Sequence, residues 1–174
     1  GKPTIEAEVH LASGLVGRAS VPSGASTGAA EACELRDVNS EWYEGQGVQQ
    51  AVHNVTAIIS PALAGKDAVE QAEIDDLLVQ LDGTANKSRL GANAILGVSL
   101  ACARAAALTK GVPLHRHLKS VYDDAAGRAG HSPERGPAMP ALMTNMISGG
   151  KHAGGNLDIQ DVLVIPAGAP DYRT

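Results

Sequence analysis

From Ile5 onward apolar and polar residues alternate, with Ile5, Ala7, Val9 and Leu11 on one side and Glu6, Glu8 and His10 on the other. A period of two predicts a half-buried strand, which leaves His10 solvated on the polar face. Ser13-Gly14 supplies a turn and Leu15 to Val21 a returning strand, so the chain opens with a hairpin. Pro22 ends that strand. The run Ser23-Gly24-Ala25-Ser26-Thr27-Gly28 cannot anchor itself by packing and is expected to be a mobile loop. Glu31 to Asp37 mixes charged and apolar residues and is expected to hold a short helical turn.

Three helical patterns follow. Val48, Ala51, Val52, Val55, Ile58 and Ile59 mark an apolar face expected to stop near Pro61. Ile74, Leu77, Leu78 and Leu81 mark a second, closed by Gly83 just past its end. The third runs from about Ala92 to Lys110 and stops at Gly111, with Pro113 beyond. Along it Gly97, Ala101 and Ala105 recur every fourth residue, which allows another backbone close approach. Tyr122 to Gly136 has no period and is rich in Gly, Ala, Asp and Arg, which reads as a linker. Two strand-like runs, Met139 to Ile147 and Ile159 to Ile165, then flank a second small-residue loop, Ser148 to Asn156. Two strands without covering helices make an unfinished element whose edges and apolar faces invite aggregation.

Composition narrows the function classes. Hydrophobic residues are 44% and charged residues 19%, a globular balance, but aromatic residues are only 2%, so the core must be built from small aliphatic side chains. The net charge of -5 argues against a nucleic-acid surface, which takes clustered Lys and Arg. No apolar run is read as approaching the length of a membrane span, and the N-terminus has no signal-peptide core. Cys33 and Cys102 lack CxxC spacing and are expected to be buried free thiols, which suits a cytoplasmic compartment.

Taken singly, the chemical motifs are weak. Gly24 to Gly28 fits the G-x-S-x-G pattern of a nucleophile elbow, with His152 and Asp161 downstream. No amphipathic helix follows Ser26 at once, however, and the order serine, histidine, acid is not that of the α/β-hydrolases. Gly149-Gly150-Lys151-His152 is too short for a P-loop, although such a loop can hold an anion through backbone N–H groups. His115-x-His117 lacks further zinc ligands at any usual spacing.

Together, several strings resemble one family. Pro3-Thr4-Ile5-Glu6, Val21 to Gly28 (VPSGASTG), Glu34-Leu35-Arg36-Asp37 and Leu81-Asp82-Gly83-Thr84 are similar to enolase, phosphopyruvate hydratase, in order and spacing. So are Asn86-Lys87-Ser88, Leu90 to Ser99 (LGANAILGVS), Lys110 to Leu114 (KGVPL) and Gly149 to Gly154 (GGKHAG). The resemblance covers essentially the whole chain. It implies an α+β N-terminal capping domain, with a three-stranded antiparallel sheet plus helices, followed by the first strands of an incomplete β/α (TIM-like) barrel. The division expected is a capping domain over residues 1–125, a linker over 126–136 and the truncated barrel opening over 137–174. The chain is expected to begin after the family's first strand and to end after the barrel's second.

The resemblance further implies Mg²⁺-dependent dehydration of 2-phosphoglycerate to phosphoenolpyruvate. Enolase-type sites are known to carry out that chemistry with a Lys or His base and an ene-diolate stabilised by the metal. Ala25 and Ser26 match the loop that closes over the substrate, with Ser26 helping to hold the second Mg²⁺. His152 matches the histidine of the second loop, and Gln160 a glutamine at the floor of the site. Asp161 stands where the family has a glutamate that contacts substrate and supports the acid step, so its carboxylate sits about an ångström back, a displacement that can cost ~10²-fold in rate. Lys151 stands where many relatives have Ser. The carboxylates for the first Mg²⁺, the lysine base, its partner acid and the phosphate-binding arginine map onto no residue here, so these residues alone are expected not to catalyse. Two readings follow: part of a working enolase in a longer chain, or a non-catalytic dimerisation or binding module. The family implies a homodimer formed partly through the N-terminal domain, a cytoplasmic location and, for some members, the cell surface.

Overall fold

A computed structural model describes residues 1–24, 28–131 and 140–168, and only the backbone of Lys151 and His152. Ala25, Ser26, Met139 and the His152 side chain therefore lie outside the described residues. Two compact units form, Gly1–Glu134 and Arg135–Thr174.

The first unit opens with β1 (Glu6–His10) and β2 (Val16–Ser20), antiparallel, with Glu6 opposite Ser20 and His10 opposite Val16. Its polar face is laced by charge: Arg18 pairs with Glu6 and Glu8, and exposed His10 lies 2.9 Å from Glu8. Its other face presents Ile5, Ala7, Ala19 and Val21, all buried, to the helices. Among the described residues this sheet has two strands, where the resemblance implied three.

Residues 31–37 form no helical turn. Tertiary ties hold them instead: the Cys33 N–H donates to the Asn86 carbonyl, and the Asp37 N–H to the Gly47 carbonyl. The first helix is α1 (Gln49–Asn54), which widens into a π turn (Val55–Ile59) and continues as α2 (Ser60–Leu63). It ends at Leu63, two residues past Pro61, near which an end was expected. Proline offers no N–H to the turn behind it, and a π widening is one way a helix absorbs such a missing bond.

Next come α3 (Gln71–Asp82), stopped by left-handed Gly83 at φ 69°, and α4 (Ala92–Thr109). Ile74 and Leu78 of α3 meet Leu90, Ala94, Val98, Ala101 and Cys102 in one core with the inner face of the hairpin. Backbones approach closely there because side chains are small. A Cβ on Gly17 would lie 2.8 Å from the Ala105 Cβ and closer still to the Ala101 carbonyl. Among the described residues α4 is the one helix long and apolar enough to cross a membrane, which corrects the expectation that no run approaches that length; 56% of it is buried here as core.

The last helix of this unit, α5 (Leu114–Arg128), enters the segment read as a linker. Of its residues only His117 is buried, with Nδ1 3.5 Å from Lys110 Nζ. Burial first, and the Lys110 charge second, push its pKa down, so it serves packing as a neutral ring. Burial, then Asp75, pushes the Cys102 thiol up to about 11, an inert environment, whereas Cys33 is only half-buried.

The second unit is a hairpin of β3 (Thr144–Ser148) and β4 (Asp161–Val164), shorter than the runs suggested. Every residue of both strands is exposed.

Candidate active-site elements

The two small-residue segments that the resemblance implies to be substrate loops fall in different units, and each has its own foundation. In the first unit that foundation is Glu34-Leu35-Arg36-Asp37, whose four residues reach four different places. One Arg36 nitrogen (Nη1) donates to the carbonyls of Pro3 and Gln46, both at 2.7 Å. The other (Nη2) donates to Ser23 Oγ at 2.9 Å and Glu34 Oε1 at 2.5 Å. The Arg36 side chain is only 10% exposed, so this charge is taken from water and compensated by four acceptors.

Leu35 exchanges two 3.1 Å bonds with the Asn93 side-chain amide, its N–H donating to Oδ1 and its carbonyl accepting from Nδ2. Asp37 accepts from the N–H groups of Gln49 at 2.7 Å and Gln50 at 3.0 Å, satisfying orphan donors where α1 begins. The segment thus ties the chain start, the root of the Ser23–Gly28 run, α1 and α4 to one another. A cleft of about 540 Å³ beside it is lined by Ser23, Gly24, Gly28, Glu34, Arg36 and Asn93, among others. Ala25 and Ser26, predicted to touch substrate and metal, lie in sequence between Gly24 and Gly28, outside the described residues.

In the second unit, the hairpin brings together the ends of the loop that carries His152. Ser148 stands opposite Asp161. The Gly149 N–H donates to the Gln160 carbonyl at 2.6 Å, and the Gly150 N–H to that of Leu157 at 2.8 Å. Glycine is required at 149: a Cβ there would lie 3.1 Å from the Ile159 carbonyl carbon and nearer still to its oxygen. His152 sits on the single 3₁₀ turn Gly150–Ala153. Gln160 and Asp161 therefore lie at the base of the His152 loop. Asp161 Oδ1 accepts a 2.7 Å bond from Asn145 Nδ2, which also donates to Ser148 Oγ at 2.7 Å. Sequence reading passed over Asn145, Ser148 and the Arg36 hub. The string containing the hub was visible, but the Arg36 partner Pro3 lies 33 residues away in sequence and the Leu35 partner Asn93 lies 58 away.

Magnesium is a hard cation that takes oxygen ligands, chiefly carboxylates and waters. Among the described residues no group of three or more His, Cys, Asp or Glu side chains converges. These residues by themselves do not fit a principal Mg²⁺ site.

An α+β unit followed by a short hairpin with a glycine-rich loop is the architecture of a capping domain and the opening of a barrel. The family model for the enolase N-terminal domain matches residues 1–118, and that for the enolase C-terminal TIM barrel domain matches residues 137–174. The chain belongs to the enolase family.

Proposed function

We propose that this chain is part of a phosphopyruvate hydratase that dehydrates 2-phosphoglycerate to phosphoenolpyruvate with Mg²⁺, as a cytoplasmic homodimer joined partly through the capping domain. The observation that carries this reading is the pair of family matches, with Gln160 and Asp161 at the base of the His152 loop. In this reading Ala25, Ser26, His152, Gln160 and Asp161 bind substrate, Ser26 gives one oxygen to the second Mg²⁺, and Asp161 and His152 serve the leaving hydroxyl. The principal metal ligands and the base belong to a longer barrel, so residues 1–174 alone are inactive. When bound, the metal would stabilise charge developing on the substrate carboxylate.

The test is intact mass of the protein captured from its source cells, followed by a Mg²⁺-dependent 2-phosphoglycerate assay. A chain much heavier than 17.7 kDa with dehydratase activity is the expected result. A heavy but inactive chain would overturn the proposal. A chain near 17.7 kDa would favour the second reading, a non-catalytic dimerisation or binding module, to which Asp161 in place of glutamate also points.

A further inference from the structure

Strand residues three apart point to opposite faces of a sheet, so Asn145 and Ser148 should not meet. They do meet, because the register slips between them. Asn145 opposes Leu163 and Ile147 opposes Val162, which leaves Met146 as an extra residue, a β-bulge. The bulge turns Asn145 onto the face of Ser148, whose cross-strand partner is Asp161. The amide then spends one hydrogen on Ser148 Oγ and one on Asp161 Oδ1, each at 2.7 Å. Because a carboxylate only accepts, the amide nitrogen and not its oxygen must face Asp161. All three residues are exposed. A hydrogen bond among wet groups adds little stability, so its consequence is orientation rather than folding energy.

We propose that Asn145 is a positioning residue for Asp161: the bulge-borne amide holds Oδ1 and leaves Oδ2 as the oxygen that engages the substrate hydroxyl. This deepens, and rests on, the reading of Asp161 as an active-site carboxylate. The shorter aspartate has one fewer torsion than glutamate, so a single amide suffices to fix its carboxylate plane.

The test compares Asn145→Ala, Asp161→Asn and the swap Asn145→Asp/Asp161→Asn in the complete polypeptide, with kcat and KM for 2-phosphoglycerate and the protection of the Gly149 N–H. The expected result is that Asn145→Ala lowers kcat by about 10-fold to 10²-fold while KM changes less than about twofold and Gly149 protection is kept. The swap should restore the cross-strand pair yet stay as slow as Asp161→Asn, because the carboxylate now sits on the other strand. An unchanged kcat in Asn145→Ala, or recovery in the swap, overturns the proposal. If the unsubstituted polypeptide does not dehydrate 2-phosphoglycerate, the functional reading falls. The Asn145 amide protons then decide the tie alone. Slow exchange and a downfield shift of the amide proton that faces Asp161, both lost in Asp161→Ala, support it, and exchange of that proton at the free-amide rate in the unsubstituted chain overturns it.

Discussion

Asp82 occupies a position that helix electrostatics alone would refuse, a carboxylate in the last residue of α3, at the negative end of the dipole. Local hydrogen bonds win. Its Oδ1 accepts from the Thr84 hydroxyl and from the Thr84 N–H at 2.9 Å, and its Oδ2 from the Leu90 N–H at 2.7 Å. Burial is the largest single influence and raises its pKa, but the bonds from Thr84, Leu90 and Arg89 together hold it below the ordinary 3.8. A depressed carboxylate pKa stabilises the fold above the unfolded value and loses that contribution as pH falls through the folded one. Asp82→Asn should therefore cost about 1–3 kcal/mol at neutral pH, measured by urea unfolding, because its amide faces a donor. The gap to the unsubstituted chain should shrink below about pH 3.8; parallel stability curves down to about pH 2.5 would refute the linkage. In the string Leu81-Asp82-Gly83-Thr84, the stop at Gly83 was legible, because a left-handed cap is a local event. The reach of Asp82 across the loop to Leu90 was not, since no period encodes it. Asp161 was legible only as a departure from the family, and its tie to Asn145 depends on a bulge that leaves no mark in the alternation.

At the level of elements, the small-residue stripe of α4 was readable as a close-approach surface, and the structure identifies the approaching backbone as β2 at Gly17. Gly17→Ala would drive a methyl into the Ala101 carbonyl and to 2.5 Å from the Ala105 nitrogen, both backbone atoms that cannot swing aside. Its expected cost is about 3 kcal/mol, the upper end for overpacking, read as a lowered urea midpoint. Gly127→Ala is the matched opposite. Nothing lies within 4 Å of its added Cβ, and α5 should gain about 0.5–1 kcal/mol from the better helix former. Equal effects at the two sites would mean that close approach, rather than propensity, had been misjudged. The hairpin, α3 and α4 were legible because each buries one face and so imprints its period. α5 was passed over although Leu114, Leu118, Val121, Tyr122 and Ala125 stand at helical spacing, because the run from Tyr122, rich in Gly, Ala, Asp and Arg, reads as a linker over the second half of that pattern. The 31–37 segment escaped because its conformation is set by distant partners at Asn86, Gly47 and Asn93.

The two units differ most in how they treat apolar surface, and that difference has a consequence for the chain as a whole. The first has a core of its own, with Ile59, Leu78, Leu90 and Ala101 fully buried among residues of the hairpin and helices. The second, among its described residues, leaves Leu142, Met143, Met146, Ile147, Ile159, Leu163 and Ile165 each about half exposed or more on a two-stranded hairpin. A lone hairpin is marginal in water, and its unpaired edges are templates for another chain. Removing residues 137–174 should take away most of that surface while leaving the core residues of the first unit in place. The shortened chain should remain monodisperse at concentrations where residues 1–174 associate, as followed by light scattering against concentration, and should keep a cooperative urea transition. If the shortened chain associates as readily, the exposed hairpin is not the origin of association. If it is soluble but melts without cooperativity, the first unit depends on the second, and its core is not self-sufficient.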